Sequence, residues 1–198
     1  IANKNDTANT RERRDIKEND TEEKNLFLDT GSILEERIMR GSYTMNLFGG
    51  QDVEVGAERA QTILDSNLAL GLLSGSEAAS QAFGGLSPVN IPNANTRVEE
   101  VRYEPFAIHN WRISPRMSLE TSLVYETSEI SMSGDVSNSR DFNFFKPKLD
   151  YRFDVTPQLQ LRVLIEKVVR QLSFTDFVAT SDQDDEDSNT LAGNSNLR

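Results

Sequence analysis

The segment Phe142–Val155, FNFFKPKLDYRFDV, alternates almost without error. Lys146, Lys148, Asp150, Arg152 and Asp154 fall on one side, and Phe145, Pro147, Leu149, Tyr151, Phe153 and Val155 on the other. Successive side chains of a strand point to opposite faces, so this is a strand with one charged and one apolar face. Phe145–Val155 alone runs for eleven residues, about twice the mean strand of soluble proteins at roughly 5–6. What such a chain can fold into depends on what the apolar face touches: the core of a soluble sheet protein, or lipid.

The same pattern recurs. Met39, Gly41, Tyr43, Met45 and Leu47 share a face, then GGQD (Gly49–Asp52) signals a tight turn, and Val53, Val55 and Ala57 resume the alternation. Val101, Tyr103, Pro105, Ala107, Trp111 and Ile113 oppose Glu100, Arg102, Glu104, Asn110 and Arg112, with Phe106, Ile108 and His109 out of phase. Ser114–Pro115 turns into a strand in which Met117, Leu119, Leu123 and Tyr125 oppose Glu120 and Glu126. Thr156–Pro157 turns again, and Leu159, Leu161, Val163 and Ile165 oppose Arg162 and Glu166. These runs predict six long strands in three hairpins, at about 33–64, 97–130 and 142–170. Long loops are expected at 65–96, 131–141 and 171–198. Residues 1–25 hold 13 charged side chains and little apolar content, so 1–32 is expected to be a polar external loop or tail.

Three details favour lipid. Membrane strands need about 9–11 tilted residues. Short turns gather at one end and long loops at the other, as in outer-membrane barrels. Aromatics sit near both ends: Phe48, Trp111, Tyr151 and Phe153 by the short turns, Phe142, Phe144 and Tyr125 towards the long loops. The expected fold is therefore all-β, an antiparallel up-and-down transmembrane β-barrel segment. Six strands cannot close a membrane barrel, whose smallest members have eight, so 33–198 reads as part of a larger barrel. Ile1 opens the chain without a charged-then-apolar leader and AGNSNLR ends it without a closing element, which also reads as a piece of something longer. Pro105 and Pro147 each delete a ladder donor and predict local bulges. The alternative is a soluble β-sandwich that binds a ligand or an adhesion partner on its loops.

Other classes are disfavoured by composition. A formal charge of −11 argues against a nucleic-acid surface. There is no cysteine, hence no disulfide framework or thiolate site. Glu120 and Glu126 lie six residues apart on one strand, about 20 Å, too far for shared acid–base work. His109 is the only histidine and reads as an interfacial side chain beside Trp111. No enzyme activity, cofactor or metal is expected. The acidic run Ser181–Asn189 lacks the spaced ligands of a calcium loop and reads as a solvated loop.

The second half resembles the barrel domain of TonB-dependent receptors, active transporters of the Gram-negative outer membrane. The resemblance rests on Glu100–Asp135, on Phe142–Val163 with its lysine–proline pair, on QLSFTDFVA (Gln171–Ala179) and on GNSNL (Gly193–Leu197). Phe145 stands where such stretches more often have leucine. The resemblance implies outer-membrane lipid around the barrel, a plug domain and further strands absent from this chain, energy from the TonB complex, and uptake of a scarce small ligand. In that setting Arg102, Glu104, Glu120, Glu126, Lys146, Lys148, Asp150, Arg152, Arg162 and Glu166 face the lumen. They form an ion-paired ladder or meet plug or substrate.

Overall fold

A computed structural model describes residues 1–18, 20–74 and 77–169, together with Phe174, Val178, Thr180–Ser181 and Thr190–Leu191. One open antiparallel sheet dominates: β1 (Ala2–Ile16), β2 (Glu22–Leu47), β3 (Gln51–Leu72), β5 (Asn95–Ser114), β6 (Met117–Gly134), β7 (Asn138–Thr156) and β8 (Leu159–Glu166) lie side by side in chain order. The short β4 (Ser87–Val89) pairs with the far end of β3, and β9 (Thr180–Ser181) pairs with β10 (Thr190–Leu191). The chain is all-β, with a 3-10 turn at Gln81–Phe83.

The three hairpin turns lie where the sequence places them, each for a local reason. Phe48–Gly50 links β2 to β3, with Gly49 and Gly50 at φ +73° and +71°, a conformation costly for any residue with a Cβ. The other two turns share one design. Pro115 and Pro157 preset the turn. The hydroxyl of the residue before each proline accepts from the backbone N–H just beyond it, Arg116 to Ser114 at 3.2 Å and Gln158 to Thr156 at 3.3 Å. Each of these two hairpins carries its register shift beside the turn, at Arg112/Ser114 and at Asp154/Thr156.

The bulges expected at Pro105 and Pro147 are absent. Pairing of β5 with β6 omits Glu104 and Pro105 and resumes in the same register, Tyr103 opposite Thr127 and Phe106 opposite Val124. At Pro147 the carbonyl accepts from the Lys167 N–H at 3.0 Å, while β8 ends at Glu166. Each proline sits where the neighbouring ladder is interrupted or has just ended, so the missing donor forces no extra residue into the strand.

The strands also outrun the predicted hairpins. Leu68–Leu72 continues β3, and β6 and β7 leave only residues 135–137 between them, so the loops expected over 65–96 and 131–141 are shorter than predicted. Residues 1–32 are not a loop or tail. β1 pairs with β2 along its whole length, from Ala2 opposite Arg37 to Ile16 opposite Glu22. With little apolar surface to bury, this ribbon is held by backbone bonds and cross-strand charges: Lys24–Glu12 at 2.6 Å, Arg14–Glu22 at 3.3 Å, Lys4–Glu35 at 3.4 Å and Lys17 with Glu23. The span beyond 170 falls largely outside the described residues, including 182–189 of the acidic run and the family-like stretches at 171–179 and 193–197.

The polarity of the two faces inverts along the strands. Near the short turns the odd-numbered face is apolar and the even-numbered face charged. Farther along, the even face carries Leu64, Val98, Ile130 and Met132, buried with Val178 and packed by Phe142 and Phe174. It also carries Leu26, Leu28, Leu68 and Leu70, covered by Ile91 and Val89 of the β3–β5 connection. The only buried apolar clusters among the described residues are thus on the far half of the even face.

Candidate functional site

Register places every predicted charged-face residue on one side of the sheet. Cα partners share a face, and the even rows run Asn46–Asp52–Asn110–Glu120–Asp150 and, nearer β8, Ser118–Arg152–Arg162. Apart from Glu166, the predicted charged-face residues fall into two ion-pair groups among the described residues.

The first spans five strands. Arg40 of β2 approaches Glu58 of β3 at 3.8 Å, and Glu58 approaches Arg102 of β5 at 3.8 Å. Arg102 lies 3.4 Å from Glu104, and Lys146 of β7 bonds Glu104 at 2.9 Å and Glu126 of β6 at 2.6 Å. Glu126 is only 3% exposed; a carboxylate so desolvated needs its cation, and Lys146 supplies it across the strand pair. Phe106, out of phase in the sequence, has a reason to be on this face. The Arg40 guanidinium lies 4.4 Å from its ring centroid, and its ring covers Gly56, where a Cβ would fall 2.5 Å from Phe106 Cζ.

The second group lies nearer the short turns. Lys148 bonds Glu120 at 2.9 Å. Asp150, 2% exposed, accepts from Arg162 at 2.7 and 2.9 Å and from Arg152 at 2.8 Å. Arg152 and Arg162 are direct cross-strand partners, a repulsive placement that Asp150 neutralises by sitting against both. Glu166 stands opposite Lys148 in register but makes no ion pair among the described residues. Glu120 and Glu126 belong to different groups, each with its own lysine.

Beside this second group an open groove of about 540 Å³ is lined by Asn46, Asp52, Asn110, Arg112, Glu120 and Arg152, among others. Asn110 bonds Asp52 across it at 2.9 Å. Amide, carboxylate and guanidinium groups dominate the lining, with Leu47, Trp111 and Leu119 at its side, so it suits hydrogen-bonding a polar surface and holds no nucleophile–base pair. His109 lies on the opposite face, bonded to Gln51 at 2.8 Å and 6.5 Å from the Trp111 ring.

Comparison with family models, with curated proteins and with solved structures finds no match. The site therefore rests on its own geometry.

That geometry includes two features the sequence reading missed. Glu100 lies on the even face beyond the Tyr103 row, buried; desolvation raises its pKa, against the pull of Arg102 and a hydrogen bond with Ser128, while Glu126 and Glu104 add to the rise. The far aromatic row on the odd face is made by Tyr43, Tyr103, Tyr125 and Phe145, within three successive cross-strand rows. Phe142 and Phe144 instead stack on the even face, centroids 6.1 Å apart. Their even numbering was the available signal.

Proposed function

We propose that the chain forms part of the barrel of an outer-membrane receptor-transporter of the TonB-dependent kind. One observation carries this reading: the odd face presents an apolar band of limited height, solvent-exposed and closed by aromatics at both ends. Tyr43 is 67% and Phe145 50% exposed, with Met45, Leu47, Val55, Leu123, Leu161, Val163 and Ile165 also open. From Tyr103 to Ile113, or Phe145 to Val155, the band measures about 33 Å along the strand at roughly 3.3 Å per residue. At a tilt near 40° that is about 25 Å of height, the apolar band of an outer-membrane barrel. From the Tyr103 row, which holds Arg59, the same face turns mainly polar with Gln61, Glu99, Asp65 and Arg97 around Val101 and the buried Ile63, as it would on leaving a bilayer. A second sheet packed on this face would have no reason to stop at that row.

On this reading the even face lines the lumen. Its ion pairs hold the strands in register, and the groove by the short turns offers hydrogen-bonding groups to a plug domain or to passing solute. Among the described residues the β2 segment Met39–Leu47 has no partner on its outer side, since β1 pairs as far as Arg37 and Ile1 bonds no farther than Ile38. The far edge of β8 is also unpaired among the described residues. Open edges in lipid cost several kcal/mol for each unsatisfied group, so further strands complete the barrel. The ligand class is a scarce small solute, such as a metal chelate, vitamin or saccharide, with energy delivered through TonB.

Trp111 is the sole tryptophan and sits at the near boundary of the band, which makes the test direct. Folded into bilayers with bromine-labelled acyl chains, the chain should show quenched Trp111 emission, strongest for labels near the headgroup. Full solubility without detergent, with a cooperative unfolding transition, would sink the proposal in favour of a soluble β-sandwich.

A further inference from the structure

Arg13 and Arg14 are the only adjacent pair of basic residues in the sequence. They lie in β1, the terminal strand of the sheet, with β2 along one edge and no strand along the other among the described residues. The strand is exposed throughout except for the half-buried Arg11, so no packed side chains cover it. The ladder to β2 is also broken at this pair. Arg13 lies opposite Leu26 and Arg14 opposite Lys24, which leaves Asn25 as an extra residue on β2. Such a bulge disrupts the hydrogen bonding locally. Arg14 meets Glu12 and Glu22, each at 3.3 Å, with 53% of its side chain exposed. Surface ion pairs of this kind exchange for another carboxylate at little cost.

This is the form in which an endopeptidase takes its substrate. The substrate chain is bound extended, through main-chain bonds along one edge, with successive side chains entering pockets on opposite sides. β1 is already extended, has one edge open, and sends its two neighbouring guanidinium groups to opposite faces. On the membrane reading the pair also stands clear of the bilayer. Lys24 is fifteen residues from Met39 along β2, about 50 Å beyond the band.

We propose that the Arg13–Arg14 peptide bond is a processing site for an endopeptidase with acidic pockets for paired arginines. One water is consumed. Its oxygen joins the Arg13 carbonyl carbon, which ends as a carboxylate, and its two hydrogens go to the Arg14 nitrogen, which leaves as an ammonium. Cleavage cuts the covalent link between β1 and β2, and residues 1–13 are then held only by their pairing with 26–38. The edge geometry is the same on either reading of the apolar band. The test therefore folds the full chain in phosphatidylcholine bilayers, or in buffer if it stays soluble without detergent, with Trp111 emission as the check of folding. A purified endopeptidase that requires adjacent basic residues is added, fragment masses locate the cut, and the rate is compared with that of a synthetic peptide of residues 8–20. The folded chain should be cut between Arg13 and Arg14 within about tenfold of the peptide rate. A strand that must first leave the sheet would be slowed about a thousandfold or more, because cleavage then follows the small open population, and that result would overturn the site. Arg14→Gln should abolish the cut, and persistence would show that the pair is not what is recognised. Glu36→Arg makes a second pair with Arg37 in β2, which is bonded along both edges there, and should remain uncut in the folded chain. Equal cleavage at both pairs would overturn the role of the open edge.

Discussion

Glu100 separates the structural from the titratable role of charge on this sheet. Lys146 stands between Glu104 and Glu126, and Asp150 between two arginines, so each has its counter-charge at bonding distance. Glu100 has only Ser128 and the attraction of Arg102 to set against burial, and its pKa rises above the ordinary carboxylate value of 4.5. A raised acid binds its proton more tightly folded than unfolded. Stability from this group is therefore full below the ordinary value and is lost as pH rises through the folded value. Glu100→Gln should raise the urea midpoint of the detergent-folded chain at neutral pH, and the gain should disappear below about pH 4. A gain independent of pH would show that Glu100 acts through packing instead of charge.

The hairpin elements were legible because they depend on local chemistry. Glycines at left-handed φ, a hydroxyl before a proline and strict two-residue alternation fix the three turns, and register then puts all ten predicted charged-face residues on one side. Strand ends were less legible, for a physical reason. Past Tyr103 the apolar phase moves from odd to even positions, so Val98, Ile130 and Met132 break the pattern that located the strands, although the backbone continues unbroken. β1 was invisible for a related reason: an edge ribbon held by Lys24–Glu12 and Arg14–Glu22 has no apolar period to find. The β2–β3 pair carries a further demand that only the structure reveals. A Cβ on Gly56 would lie 2.5 Å from the Gly41 carbonyl oxygen as well as against Phe106. A flexible side chain could yield, but the backbone of a paired strand moves only with its ladder. Gly56→Ala should cost about 1–3 kcal/mol, read as a lower unfolding midpoint, and Phe106→Ala in the same chain should recover only part of that loss. Full recovery would place the constraint in the ring alone.

At the scale of the whole molecule, the inversion of polarity is what a single sheet needs to pass between two solvents. On the proposed membrane reading, the odd face within the band must shed water and the even face must keep it. Beyond the band the odd face meets water, and the even face becomes the place where Ile91, Val89, Phe142 and Phe174 close over a core. A soluble sheet has no such requirement, and the cost of a misplaced charge distinguishes the cases. Leu123 and Ser122 are neighbours in β6, at mid-height of the band and on opposite faces. In a bilayer, Leu123→Arg faces acyl chains and should cost about 2–4 kcal/mol, lowering the folded yield and the urea midpoint in vesicles. Ser122→Glu would face the lumen side on this reading, directly opposite Lys148, and should stay within about 0.5 kcal/mol of wild type. The depth profile gives the stronger check. Moving the arginine from Leu123 to Thr127, opposite Tyr103 at the far boundary of the band, should bring the cost to about 0–1 kcal/mol. A penalty that is equal at Leu123 and Thr127 would mean that the odd face is covered by protein along its length, and the band would lose its meaning as a membrane surface.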